Sequence, residues 1–288
     1  MKKICLIVTT NVEFDIIERF FGSLNSQNSN YSIDLFFVNQ NSEQFHSYDF
    51  LENISLTTIE VNHLVSLSKA RNMALSHVDL KEYDFIAFPD DDCWYEEYLI
   101  EKVVGFFENN IDCDILCTNV LDPSNNKTYG GRPVEVTKVV NKFNVFKYPI
   151  SVGIFIRLEN IEHDQIYFNE KLGAGTKIGS GEETELVYRL IDRNNKCVYV
   201  GNVFVYHPVI DSNYSISDIT KYYKYSIGFG YLVREMFDDG NYRILFYYMY
   251  ILFRILGGLA LSLCNNVNRR VYFYRLKGVV VGFLKVIE

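Results

Sequence analysis

At 288 residues and 48% hydrophobic, the chain can form one large domain, or a domain plus an appendage, around a sizeable core. Its formal net charge of -8 argues against generic nucleic-acid binding, which depends on Lys and Arg neutralising phosphates. The charge is uneven. From Asp211 onward there are 10 Lys+Arg against 6 Asp+Glu, or +4, which leaves 18 against 30, or -12, for residues 1–210. A break near 210, with different partners on its two sides, is expected.

The first half alternates two kinds of periodicity. Ile4–Val8 is a β-rich run closed by Thr9, Thr10 and Asn11, and Phe14–Leu24 repeats apolar residues at helical spacing. Ile33–Val38 is predicted as the second strand, closed by Asn39-Gln40-Asn41-Ser42, and Leu56–Val61 as the third. A helix from about Ser68 to His77 follows, with Ser68 as its N-cap and Ala70, Met73 and Ala74 facing the sheet. Tyr83–Phe88 is the fourth strand, stopped by Pro89, which has no N–H to donate to a ladder. A helix from about Tyr95 to Asn109 and a strand over Asp114–Val120 complete the pattern. Strands alternating with helices predict a parallel, doubly wound α/β sheet.

Three consecutive aspartates, Asp90-Asp91-Asp92, stand where the fourth strand leaves the sheet. Ligands of open α/β sheets bind at that edge, and hard oxygen donors there suit Mg²⁺ or Mn²⁺ held jointly with substrate phosphates. The other reading is an acidic turn, or a helix cap supplied by Asp92. If the segment is extended, Asp90 and Asp92 point the same way and form the favoured pair. Cys93 beside them is either a soft metal ligand or small-residue packing. The six cysteines contain no CxxC pair, and the start is too quickly polar for a signal peptide, so reduced, mostly buried thiols in the cytoplasm are expected. No GxGxxG follows the first strand and no GxxxxGK[ST] occurs, so neither a Rossmann cofactor site nor a P-loop is supported.

Four segments in order, "DLFFVNQNS", "LSKARNMAL", "YDFIAFPDDDCW" and "LGAGTKIGSGEETELVYRL", make the first 210 or so residues resemble a family 2 glycosyltransferase of bacterial cell-surface polysaccharide type. The resemblance implies a GT-A fold: a Rossmann-like mixed sheet flanked by helices, here with a C-terminal helical extension. It also implies transfer of a sugar from a nucleotide-diphosphate donor, UDP-sugars favoured, with inversion and with Mn²⁺ or Mg²⁺.

Residue roles follow from the same resemblance. Thr9, Asn11, Glu13, Asn39 and Asn41 would face the base and ribose, although the family often has aspartate where Asn39 stands. An amide both donates and accepts, so base contact survives that change. Arg71 would reach a phosphate or an aspartate of the metal turn. Asp90 and Asp91 would serve the donor, with Asp92 as direct metal ligand and Asp90 as its companion. His207, at a strand end after Val203–Tyr206, would touch metal or diphosphate, the alternative being a structural histidine. In the family the second acid after the Gly-rich stretch is the general base; here that position is Glu183, with Glu182 as the other candidate. Acidic residues opening a helix also complement its dipole without any function.

The C-terminal eighty residues combine an aromatic, basic helix over Lys221–Glu235 with an apolar run, Ile244–Cys264, and a second apolar run, Val279–Leu284. Twenty apolar residues are enough to span a bilayer, but Arg254 near the centre would cost about 2.5–3.5 kcal/mol there. An in-plane anchor is favoured over a packed cap or a span. These residues imply a membrane surface at its inner face and a saccharide or lipid-linked saccharide acceptor, with a homo-oligomer left open. Two other classes share parts of this pattern. A sugar nucleotidyltransferase would begin with a Gly-rich, basic loop, which Thr9-Thr10-Asn11-Val12-Glu13 is not. A non-catalytic GT-A-like subunit would have lost the acids that this chain retains.

Overall fold

A computed structural model describes the chain except residues 28, 29, 42, 44, 46, 210–213, 263 and 288. Ser42 and the expected break between 210 and 211 lie outside the described residues. The chain divides into two compact units. One comprises Met1–Val65, Lys69–Tyr167 and Leu186–Val209; the other comprises Ser66–Ser68, Phe168–Glu185 and Ile210–Glu288.

The first unit is built on one sheet. β1 (Lys3–Thr10), β2 (Ser32–Asn39), β3 (Ile54–Glu60) and β4 (Phe85–Ala87) run parallel, in the order β3-β2-β1-β4. β1 and most of β2 are buried, as expected for strands covered on both faces. α1 (Phe14–Asn25) and α3 (Leu99–Asn109) are among the helices that cover it, contributing Ile17, Phe20, Phe21, Leu24, Val103, Val104 and Phe107 to the core. Phe21 stands edge-on to Phe37 and Phe45, so aromatic packing closes the α1 face. α2 (Leu67–Leu75) buries Ala70, Arg71 and Ala74, whereas Met73 is only half-buried.

Beyond β4 the alternation of strand and helix stops, and with it the parallel pattern. β5 is only Trp94–Tyr95, and β6 (Ile115–Asp122) is followed by the short β7 (Lys127–Thr128) and β8 (Thr137–Val140) without an α-helix. A parallel return needs a crossover, usually helical. β9 (Ile154–Arg157) instead enters antiparallel between β4 and β6. After α4 (Glu182–Asp192), β10 (Cys197–Tyr206) again runs parallel to β6. The sheet is therefore mixed, as the family resemblance implies, and not the all-parallel sheet that alternation alone suggests.

Two local expectations are corrected. Trp94 and Tyr95 pair with β10, so the helix expected from Tyr95 starts at Leu99, behind Tyr98, and Asp92 is not its cap. Ser68 lies inside α2, and its hydroxyl donates to the Leu172 carbonyl at 2.7 Å instead of capping the helix.

The second unit includes the helices α5 (Asp218–Asp238), α6 (Ile244–Leu261) and α7 (Asn266–Phe283). α7 holds most of the second apolar run, Val279–Leu284, as the end of a longer helix and is capped by Asn265, whose side chain accepts from the Asn268 N–H. α5 and α7 approach through glycines. A Cβ on Gly230 would lie 2.2 Å from the Val279 carbonyl oxygen, and one on Gly282 would lie 2.1 Å from that of Ile227.

Candidate active site

The parallel strands β1, β2 and β4 all deliver their carboxyl ends to one edge of the sheet, and β6 and β10 deliver theirs there too, because β9 is antiparallel to both β4 and β6. The aspartate turn leaves β4 at that edge. His207 follows β10 there, with its N–H on the Leu121 carbonyl at 3.1 Å. The pairing of Trp94 with Tyr206 then closes a sequence gap of more than a hundred residues. His207 Nε2 stands 3.1 Å from Asp92 Oδ1, and ligand atoms of Asp90, Asp92 and His207 lie within 4.8 Å of one another. Two carboxylate oxygens and an imidazole nitrogen form a donor set that fits Mg²⁺ or Mn²⁺, with positions left for water or phosphate.

Each aspartate is held differently. Asp90 accepts from Arg71 Nη2 at 2.8 Å; the same nitrogen reaches Ser151 Oγ at 2.8 Å and the Phe88 carbonyl at 3.3 Å. Arg71 is 1% exposed, an arginine buried on α2 with its head against the metal turn. Burial pushes the Asp90 carboxyl above the usual range, and neighbouring Asp92 adds to this, while Arg71 and His207 pull it down. Asp91 turns away to Thr10, whose hydroxyl donates to it at 2.6 Å. Burial, and then the charges of Asp90 and Asp92, raise Asp91 to about 6 against the pull of Thr10. For His207, burial disfavours the imidazolium, but the hydrogen bond and charge of Asp92 outweigh it, and its pKa lies above the ordinary value. Its other nitrogen, Nδ1, sits 2.7 Å from the Pro208 carbonyl. Cys93 is fully buried with its thiol on the Asp90 carbonyl at 3.1 Å, which is a packing position.

The β1–α1 and β2 loops are tied together. Asn41 donates from Nδ2 to the Val12 carbonyl at 2.7 Å, and its N–H donates to Asn39 Oδ1 at 3.0 Å. Asn39 is fully buried, its amide donating to the Glu43 carbonyl at 2.8 Å and to Glu60 Oε2 at 2.7 Å. It therefore shapes the turn from within. Thr9 is buried at the end of β1, Asn11 is exposed, and Glu13 precedes α1 without capping it through its side chain.

Glu182 and Glu183 open α4 and belong to the second unit. Glu182 is buried and Glu183 half-buried. The Gly-rich stretch folds against the former: a Cβ on Gly173, whose φ is +98°, would lie 3.0 Å from the Glu182 carboxyl carbon and 2.8 Å from Ser68 Oγ. No other residue type fits both that φ and that space.

Three contributors were not singled out from the sequence: Thr10, Ser151 and Tyr129, whose ring stands edge-on to His207 with centroids 6.3 Å apart. Thr10 was within reach of register reasoning. Ile4 pairs with Phe85 and Leu6 with Ala87, and continuing that ladder sets Thr10 opposite Asp91. Nothing in the sequence signals Ser151 or Tyr129, which come from the long excursion between β6 and β9.

A mixed sheet of this topology, with an acidic turn at the carboxyl end of a central strand, defines a GT-A glycosyltransferase. The chain belongs to glycosyl transferase family 2, whose family model matches residues 5–163, over half of its length. Among solved structures it resembles a mannosyltransferase, PcManGT of Pyrobaculum calidifontis, in complex with GDP-Man and Mn²⁺. The TM-score is 0.64 and the identity 13%, over 98% of this chain and 87% of that one. It also resembles S. aureus TarS 1-349, at TM-score 0.53 and 16% identity over 79% of this chain and 64% of that one. The complex of that fragment with UDP-GlcNAc gives TM-score 0.52 and 17% identity over 79% and 66%. At such identities the likeness is one of fold. The chain spans just under two thirds of the TarS fragment and 39% of the longer TarS structure. No curated protein matches the chain.

Proposed function

We propose that the chain transfers a sugar from a nucleotide-diphosphate donor to a saccharide acceptor, inverting the anomeric centre. The observation that carries this reading is the convergence of Asp90, Asp92 and His207 at the carboxyl edge of the sheet. Fixed carboxylates there suit a metal–diphosphate group. A bound Mn²⁺ or Mg²⁺ would be held by Asp92, Asp90 and His207 and would supply positive charge to offset that gained by the leaving diphosphate. Arg71 keeps Asp90 in place, and Thr10 does the same for Asp91. Thr9, Asn11 and Glu13 would line the nucleotide side, with Asn39 and Asn41 setting the loop that does so.

An acceptor hydroxyl is a poor nucleophile, so a carboxylate within about 3 Å must take its proton as it attacks C1 of the donor sugar. Glu183 is the proposed base, because it occupies the family's second-acid position. Buried Glu182 is the other candidate. Glutamate in place of aspartate lengthens the arm by one methylene and keeps the carboxylate.

UDP-sugars are the favoured donors, with GDP-sugars next, because the structural neighbours were solved with UDP-GlcNAc and GDP-Man. Residues 1–210 would form the catalytic region and 211–288 a membrane-associating region. A lipid-linked saccharide at the inner face of the cell membrane, extended during surface polysaccharide synthesis, is the acceptor class that fits such a tail. The test is a screen of nucleotide sugars for release of nucleoside diphosphate with Mn²⁺ or Mg²⁺. Donor turnover with one metal supports the reading, and no turnover of any donor with either metal overturns it.

A further inference from the structure

The second unit carries an apolar surface on one helix. α6 is long and apolar enough, by length and composition, to cross a membrane, yet only 17% of that stretch is buried. Its buried residues, Ile244, Tyr248 and Ile255, recur at helical spacing and form the inner face. On the outer face Phe246, Met249, Tyr250, Phe253 and Leu256 follow the same period, and Phe246 and Phe253 are 79% and 78% exposed. A contiguous face of aromatics and methionine left in water marks a surface made for something else.

Charge says what that is. Residues 240–287 contain seven Lys and Arg (Arg243, Arg254, Arg269, Arg270, Arg275, Lys277 and Lys285) and no Asp or Glu. We infer that the outer face of α6 docks flat on an anionic lipid surface, with its apolar side chains at the headgroup–acyl boundary and Arg254, Arg269 and Arg270 on the headgroups. Arg254 is exposed and lies over the Tyr250 ring at 5.7 Å, so it stands on the docking face itself. A long, flexible side chain there can reach up to phosphates from an in-plane helix, whereas at the centre of a span it is buried in hydrocarbon. A second copy of this chain is a poorer occupant, because it would bring an equally basic, acid-free stretch against the first. The inference does not rest on the sugar-transfer reading, since docking is measured without donor or acceptor.

The test is sedimentation of the full chain with vesicles of phosphatidylcholine, with and without phosphatidylglycerol. Binding is expected only with the anionic lipid and is weakened by salt. Phe246→Glu with Phe253→Glu, both at exposed positions that folding does not need, abolishes it, while Arg269→Ala with Arg270→Ala weakens it about thirtyfold. In the Phe253→Trp variant, lipids brominated near the headgroup quench fluorescence more than lipids brominated near the bilayer centre. Absence of binding to anionic vesicles by folded protein overturns the inference. So does binding unchanged by the Phe246/Phe253 variant, strongest quenching from the bilayer centre, or a dimer in solution that this variant makes monomeric while vesicle binding is absent.

Discussion

Proton and metal compete for Asp90, Asp92 and His207, and this gives the site a testable pH profile. Asp91, at about 6, holds its proton more tightly in the folded chain than an ordinary aspartate does. By linkage, this group makes the metal-free protein less stable as pH rises through the interval from the ordinary carboxylate pKa to about 6. His207 acts in the same sense: its pKa is raised, so its ion pair with Asp92 stabilises the metal-free fold at low pH and is lost as pH rises through the folded value. A divalent cation held by Asp90, Asp92 and His207 requires Asp90 and His207, both with raised pKa values, to be deprotonated, so the rise in melting temperature produced by Mn²⁺ is expected to grow with pH. A Mn²⁺ effect that is flat or falling with pH would count against the site. Thr10→Val removes the 2.6 Å hydrogen bond that lowers the Asp91 pKa and should extend the Asp91 contribution to the pH–stability curve of the metal-free protein to higher pH at nearly unchanged volume. Arg71→Leu removes a buried partner of Asp90 and should cost about 1.5–3 kcal/mol in urea unfolding, along with Mn²⁺ affinity. The aspartates were legible from sequence because a run of acids behind an apolar strand is a local signal. Their partners were less so, because Thr10, Ser151 and His207 join them only through register and through a strand inserted between β4 and β6.

At the scale of elements, α5 and α7 are packed so closely that backbone meets backbone. Gly282→Ala would set a methyl 2.1 Å from the Ile227 carbonyl oxygen, which cannot move aside as a flexible side chain would. Overpacking of this kind costs about 1–3 kcal/mol. The gain in helix propensity returns at most about 1 kcal/mol, so the variant should melt lower than the wild type. Gly257→Ala on α6 meets nothing within 4 Å and should melt at the same temperature or higher. Equal melting of the two variants would show that the α5–α7 approach is looser than described. Helices and parallel strands were readable here because each follows its own period within a dozen residues. The failures were at joins. Trp94-Tyr95 looked like the start of a helix but is claimed by β10, and the short run Val279–Leu284 is the end of a longer helix, α7, whose Gly278 and Gly282 permit a close contact with α5 that a longer side chain would block.

For the molecule as a whole, the proposal divides labour between two carboxylate clusters. The acidic turn and His207 would hold the donor, and the glutamates that open α4 would activate the acceptor. The two tasks are separable by substitution. Asp92→Ala removes one proposed metal ligand, whereas Glu183→Gln keeps the size and polarity of the side chain and removes only its ability to take a proton. The most direct measurement is donor binding by calorimetry with Mn²⁺, using the nucleotide sugar that the screen identifies, alongside transfer assays on the same preparations. Asp92→Ala should lose metal-dependent donor binding, while Glu183→Gln should bind donor like the wild type and transfer at least about a hundredfold more slowly. Undiminished Mn²⁺-dependent donor binding by Asp92→Ala would contradict the metal–diphosphate site on which the account rests.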